Sequence, residues 1–270
     1  MRILRDWPIL SLDRLAEILT HQSPPLDSVM VTFDDGYANN LEAVEYLASR
    51  DIPSAVFITA GHISTESTIW TIELALLLLH GGSTRVEVLD RPWDLASSEV
   101  RAASFRAIRQ QMKSLPSTNR MQEMENLRQQ FPPGRTKELL ERFPAFRMLS
   151  WDAVRHMQSL KCTIGSHGVH HEIHHGNQPT EIREAELANS RRQIEATTNS
   201  LCRYFAFPNG NTNPQSDAEL RQAGYILGLT TIPETVSAAA NPFRIPRFDA
   251  PSNPSSLFRI LTWKRSTESS

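Results

Sequence analysis

The stretch Val29-Met30-Val31-Thr32-Phe33-Asp34-Asp35-Gly36-Tyr37 constrains the fold of this chain more than any other. An apolar run that stops on two adjacent carboxylates and a glycine reads as a buried strand ending at the rim of a sheet. In α/β folds that rim is where ligands bind. Taken alone, an Asp-Asp pair also suits a solvated turn or a helix N-cap. A second stretch decides between these: Gly165-Ser166-His167-Gly168-Val169-His170-His171-Glu172-Ile173-His174-His175, which holds five of the nine histidines in the chain. One acid from the first stretch and two imidazoles from the second make a mixed N/O donor set. Such a set binds zinc and leaves a position open for water.

His167 and His171 lie four residues apart, so a segment that turns as one helical loop faces both imidazoles the same way. His170 then points elsewhere, and His174 and His175 fall on a Glu-containing turn. The competing reading is a His-rich surface loop with adventitious metal affinity. Against it, the cluster follows a strand and a Gly-Ser turn, as a barrel loop does.

The rest of the chain alternates. Residues 11–20 predict a helix capped by Ser11, with Leu12, Leu15, Ile18 and Leu19 on one face. Strand 29–33 follows, then a helix over 39–50 through Leu41, Val44, Tyr46 and Leu47, then a buried strand at 55–59. Strand–helix–strand order implies a parallel sheet. From 62 to 148 the pattern is polar, helical and strand-poor, with breaks at Gly81-Gly82, Pro116 and Pro132-Pro133-Gly134. It reads as a helical insertion over the sheet. Alternation then resumes, with a helix capped by Ser150, a strand at 163–165 and a long helix capped by Thr180. A strand at 204–207, a helix at 218–223 and strands at 225–230 and 243–248 complete it. Polar residues at three strand ends (Asp34/Asp35, His167 and Pro208-Asn209-Gly210) argue for an α/β fold built as an incomplete (β/α) barrel. The expected organisation is one domain over 1–264, with 62–148 inserted in it, and a disordered tail at 265–270.

Composition excludes several classes. With 40% apolar residues and a net charge of −2, the chain is ordinary for a globular protein. Lys and Arg are scattered among acids, so no nucleic-acid surface is expected. Two cysteines, Cys162 and Cys202, are too few for a disulfide framework and read as buried thiols. No run of ~18 apolar residues is present, so no transmembrane helix is expected. The start lacks the apolar core of a signal peptide, which leaves the cytoplasm as the default compartment.

The two acids need not share a role. A carboxylate bound to a metal is held ionised. Its neighbour points elsewhere and can accept a proton from water that the metal has made more acidic. The chemistry this predicts is hydrolysis of a carbonyl compound, with the metal or a backbone N–H holding the oxyanion.

Thr32-Phe33-Asp34-Asp35-Gly36-Tyr37 resembles the first motif of the polysaccharide deacetylases, the NodB-homology or carbohydrate esterase family 4 group. That family includes chitooligosaccharide and peptidoglycan N-acetylglucosamine deacetylases. Gly165-Ser166-His167-Gly168-Val169-His170-His171 is similar to the second motif, His-x-x-x-His after Gly-Ser. Phe205-Ala206-Phe207-Pro208-Asn209-Gly210 is similar to the third. Likeness continues at Leu149-Ser150-Trp151-Asp152, at Leu220-Arg221-Gln222-Ala223-Gly224-Tyr225 and at Phe243-Arg244-Ile245-Pro246-Arg247, so it covers nearly the whole chain. The resemblance implies a distorted barrel of about seven strands that removes acetyl groups from N-acetylhexosamine units of a glycan. It implies Asp34 as general base, and Asp35, His167 and His171 as ligands of a divalent metal, Zn2+ by donor type. Phe207 and Pro208 would line the acetyl pocket, with the amide of Asn209 at the oxyanion. Tyr37 and Trp70 are candidate sugar-stacking rings, with core packing as the alternative for each.

Two departures from the family pattern stand out. Where many members carry an Arg that pairs with the base, this chain has Ala206, as some exopolysaccharide-type members do. Arg247 is a candidate substitute or substrate contact. The family also uses a His as general acid, from a C-terminal Leu-x-His or an N-terminal Tyr-His. No histidine follows His175, and the chain opens on what reads as a helical hairpin, Met1 to Leu19. The expectation is that a first strand and roughly thirty residues precede Met1, an estimate from the length of one βα unit. His21 and His62 are weak stand-ins, neither at a recognisable strand end. Three readings remain: a metal-dependent glycan deacetylase with glycan-biosynthesis partners, a weak or inactive glycan-binding member, and a zinc hydrolase of another small amide.

Overall fold

The computed structural model describes residues 7–21, 27–251 and 253–262. The expected tail at 265–270 and the first six residues lie outside the described residues.

The first helix, α1 (Leu12–Thr20), begins where Ser11 Oγ accepts the Arg14 N–H at 3.2 Å. Strand β1 (Thr32–Phe33) leads to α2 (Asn39–Ala48), and β2 (Ala55–Ile58) to a 3-10 turn at Ala60–His62. Later come α7 (Trp151–Ser159), β5 (Thr163–Ser166), α8 (Thr180–Thr198), β6 (Tyr204–Ala206), α9 (Ser216–Gln222), β7 (Leu227–Leu229) and α10 (Pro254–Thr262). The cap of α8 differs from expectation. Pro179 stands at the N-cap, and Thr180 is the first helical residue, its hydroxyl accepting from Arg183.

Five parallel strands form one curled half-barrel sheet in the order β1-β2-β5-β6-β7. The chain extends it at both edges by single parallel bridges, Ile9 to Val29 and Leu229 to Ile245. Two expectations change here. Residues 8–10 run beside Val29, with Leu10 N donating to Val29 O at 2.9 Å, where a helical hairpin was expected. The strand expected over 243–248 shrinks to its Ile245 bridge.

Side chains alternate across the strands, and both faces are buried. Ala55, Phe57, Tyr204, Ala206, Leu227, Leu229 and Ile245 share the inner face with Leu12 and Leu15 of α1. Val56, Ile58, Ile164, Phe205 and Phe207 face the helices outside. This explains why the strands read as short continuous apolar runs. Gly165 is required by the packing: a Cβ there would lie 2.4 Å from the Phe57 ring.

Between β2 and α7 the chain forms α3 (Trp70–His80), β3 (Arg85–Val88), β4 (Arg91–Asp94), α4 (Ser98–Lys113), α5 (Ser117–Arg128) and α6 (Arg135–Arg142). The antiparallel hairpin β3–β4 departs from the strand-poor expectation. Its turn, Leu89-Asp90, has φ of 58° and 57°, as a two-residue hairpin loop needs. The signal was present in the sequence as a period of two, since Val86 and Val88 are buried while Arg85 and Glu87 are exposed.

Candidate active site

The site lies at the C-terminal ends of β1, β2, β5 and β6. Beyond β1 the chain turns sharply: Asp35 has φ 75° and Gly36 φ 86°. The turn is pinned by Thr59 N donating to Asp35 O at 3.1 Å and Leu149 N to Gly36 O at 2.9 Å. Left-handed backbone at a non-glycine residue costs energy and persists where the surroundings enforce it, often at functional sites. Here it turns adjacent carboxylates to different partners.

Asp35 Oδ1 lies 3.3 Å from Nε2 of His167 and 3.3 Å from Nε2 of His171. All three ligand atoms fall within 4.8 Å of one another. His167 Nδ1 is 2.7 Å from the carbonyl of Ala206. A carbonyl only accepts, so Nδ1 carries the hydrogen and the neutral ring turns the lone pair of Nε2 toward Asp35. Acceptors converging on one point repel unless a cation lies among them, so this donor set fits a divalent metal. His171 reaches the same point from a left-handed backbone, φ 59°. Its Nδ1 is buried without a protein partner.

Asp34 is neutralised separately. Arg247 grips it with two nitrogens, Nη1 to Oδ1 at 2.8 Å and Nη2 to Oδ2 at 2.7 Å. The same guanidinium donates to Thr230 O at 2.9 Å and Thr32 Oγ1 at 3.1 Å. Arg247 is thus the charge partner of the acid, its remaining donors directed to the sheet. Ala206, a methyl side chain packed in the inner core, carries no charge to supply; the Arg arrives from the segment after β7 instead.

Charge balance follows the geometry. Burial pushes the Asp34 carboxyl up, but His167 and the Arg247 guanidinium more than reverse this and hold it below the usual carboxylate value. Burial is likewise outweighed at Asp35 by the two imidazoles that face it, and its carboxyl is held below the usual value. At His167 burial pushes down, and the Asp34 and Asp35 charges override it. At His171 burial prevails.

Other expected residues divide. Tyr37 is half-buried, its hydroxyl pushed above its usual value by burial and the nearby Asp35 charge, and edge-on to Phe146 at 6.3 Å. Trp70 is buried at the start of α3 beneath Arg120, 5.1 Å away, so it packs in the core and offers no sugar platform. Phe207 is wholly enclosed between His174 and Phe205, and Pro208 is buried beside it; they form a floor more than a pocket wall. Asn209, at φ 58°, is exposed on the rim, where its Oδ1 accepts from Lys113 at the end of α4. His21 caps the C-terminal end of α1. His62 does sit at a strand end, in the turn after β2, contrary to expectation. Its Nδ1 lies 2.8 Å from Ser67 Oγ and its ring meets His170 edge-on, 6.4 Å away. Burial, with the nearby His170, pushes it down to about 4.

Sequence reasoning missed Glu186. From α8 this buried carboxylate accepts the N–H of Val169 at 2.8 Å and of His170 at 2.9 Å, and meets His170 Nδ1 at 2.9 Å. It fixes the turn between the two histidines that face Asp35. The signal was its place on one helical stripe with Arg183, Leu187, Ser190 and Ile194, all buried. Polar residues inside an apolar stripe must find partners.

A half-barrel with acids and imidazoles gathered at its strand ends is the frame of a hydrolase. The model of the polysaccharide deacetylase family matches residues 21–228, and the chain belongs to that family, whose members are hydrolases acting on amide bonds. No curated protein matches. Among solved structures, the chain is similar to the Streptococcus pyogenes deacetylase PplD in complex with acetate (15% identity, TM-score 0.61, 96% of this chain and 83% of that one). It is also similar to IcaB from Ammonifex degensii (17%, 0.59, 97% and 84%). A third is the BpsB deacetylase domain from Bordetella bronchiseptica (18%, 0.52, 90% and 78%). At these identities the likeness speaks to the fold. Among the described residues no helix is long and apolar enough to cross a membrane. Cys162 and Cys202 are buried and free, and burial pushes their thiols up to about 11 and about 12.

Proposed function

We propose that this chain removes the acetyl group from N-acetylhexosamine units of a polysaccharide or oligosaccharide. Asp35, His167 and His171 hold a divalent metal, zinc by donor type, and Asp34 is the general base. The observation that carries this reading is the contrast between neighbouring carboxylates. One converges with two imidazole lone pairs, and the other is ionised and neutralised by an arginine.

The metal, when bound, supplies Lewis acidity at the acetyl carbonyl and to water. The protein's own residues do the rest. Asp34, kept ionised by Arg247, accepts the proton of the attacking water. The Ala206 carbonyl keeps His167 in one tautomer. Tyr37 and the rim residue Asn209 border the space left for the sugar. As the C–N bond breaks, the proton that Asp34 took from water passes to the leaving nitrogen, giving acetate and a free amino sugar. Proteins of glycan biosynthesis are the partners this activity implies.

The test is a substrate panel. Acetate release from N-acetylglucosamine oligomers or polymers is expected, with cyclic imides and formamides left untouched. Zinc and glycan binding without acetate from any member would assign the chain to the non-catalytic reading.

A further inference from the structure

His171 adopts a left-handed backbone and lacks a hydrogen-bond partner at Nδ1, so its aim depends on the chain on either side. On the N-terminal side, Glu186 binds the N–H groups of Val169 and His170. On the C-terminal side the anchor is Glu172, the very next residue, and it comes from an unexpected place. Glu172 Oε2 accepts from Arg120 of α5 and, at 2.9 Å, from Gln178 Nε2. Gln178 Oε1 in turn accepts the Ser117 N–H at 2.9 Å, at the first residue of α5. Arg120 also donates to Leu115 O at 3.2 Å and lies over the Trp70 ring. Arg120 is 1% exposed, Glu172 4% and Gln178 2%. Three buried polar side chains and a backbone N–H therefore form one network centred on Glu172 Oε2.

Such a network has a geometric consequence. A buried ion pair held by further hydrogen bonds favours one arrangement, because breaking it leaves a charge unpaired away from water. Glu172 is thus locked to α5, and its backbone is shared with His171. We infer that Arg120 is a positioning residue for the metal site: through Glu172 it holds His171 at the angle that meets Asp35 and His167. The segment between β2 and α7 is then part of the active-site frame as well as a cover over the sheet. This rests on the proposal that Asp35, His167 and His171 bind a metal.

The experiment compares the full chain with the paired variant Arg120→Met/Glu172→Met, which removes both charges and leaves neither partner stranded. A second paired variant, Arg128→Met/Glu73→Met, is the control. It removes another ion pair that ties α5 to α3, at 2.7 Å, and is not hydrogen-bonded to the histidine loop. Zinc affinity is measured by competition with a chromophoric chelator, and site geometry by the visible absorption of the cobalt-substituted protein. The expected result is a roughly ten- to hundred-fold weaker zinc affinity and altered cobalt bands for the first pair only. Zinc affinity and cobalt bands equal to wild type in that variant would overturn the inference while leaving the metal site standing. No zinc binding by wild type would overturn both. If the paired variant does not fold, Glu172→Gln carries the test. It keeps the side chain's size and an oxygen for Arg120 but gives up the charge that ties it to α5. Weakened zinc binding supports the role, and unchanged binding refutes it.

Discussion

The two loops that build the site are assembled in opposite ways. The loop after β1 is local. Within four residues it supplies both acids, the glycine that turns the chain at φ 86°, and the tyrosine beside Asp35. The loop after β5 carries the imidazoles but not the means to aim them. Its turn is held by Glu186 of α8, and its exit by Arg120 of α5 through Glu172. A compact motif can be self-sufficient, whereas a longer excursion must borrow partners from elements distant in sequence. Even the local loop borrows: Thr59 and Leu149 pin its turn through backbone N–H groups, and Arg247, more than two hundred positions later, grips Asp34.

The comparison yields predictions of decreasing size. Asp34→Asn leaves the metal donors in place and removes the proton acceptor. Acetate release should fall roughly a hundred- to ten-thousand-fold, with zinc affinity unchanged in a direct titration. A variant that lost zinc as well would show that the two acids are not separable. Glu186→Ala attacks the borrowed support of the other loop. Zinc affinity should drop roughly ten-fold or more, and hydrogen exchange at Val169 and His170 should quicken. Protection unchanged at those amides would mean the histidine loop is as self-contained as the first.

Arg247→Met tests the side chain that the β1 loop borrows. Burial already pushes the Asp34 carboxyl up, and Arg247 is among the groups that bring it below the usual value. Without the guanidinium the carboxyl rises. The base must be ionised, so the acid limb of kcat/KM should move to higher pH while the alkaline side keeps its shape. Stability follows the same sign. The depressed carboxyl contributes above its unfolded value and loses that contribution as pH falls through the folded one. The variant should narrow that difference. An unmoved acid limb would remove Asp34 from the rate-governing ionisation. The smallest effect is expected far from both loops. Ser11→Ala removes the cap of α1 and should cost about 1 kcal/mol in denaturant unfolding, with zinc affinity intact.

What was legible in the sequence follows the same division. The strand ends at Asp34/Asp35 and His167 could be read because apolar runs stop on them, and the Ser11 and Ser150 caps because capping is local. The β3–β4 hairpin was hidden in a polar, helix-rich segment, though its alternation of Val86 and Val88 with charges was there to be read. The strand expected at 243–248 shrank to one bridge because, beyond Ile245, the chain turns Arg247 toward Asp34. Glu186 and Arg120 could not be assigned partners from one sequence. Their roles exist only once α8 and α5 are folded against the histidine loop. Trp70 was offered as a sugar platform because an aromatic ring looks the same in sequence whether it faces solvent or, as here, a buried guanidinium.

The most direct test of the account is acetate release while zinc is titrated into metal-stripped protein with an N-acetylglucosamine polymer as substrate. The account predicts activity that rises with zinc and saturates at one equivalent, and that stays absent in Asp35→Ala at the same zinc levels. Full activity in the stripped protein, or one tightly bound zinc with no acetate released, would contradict it.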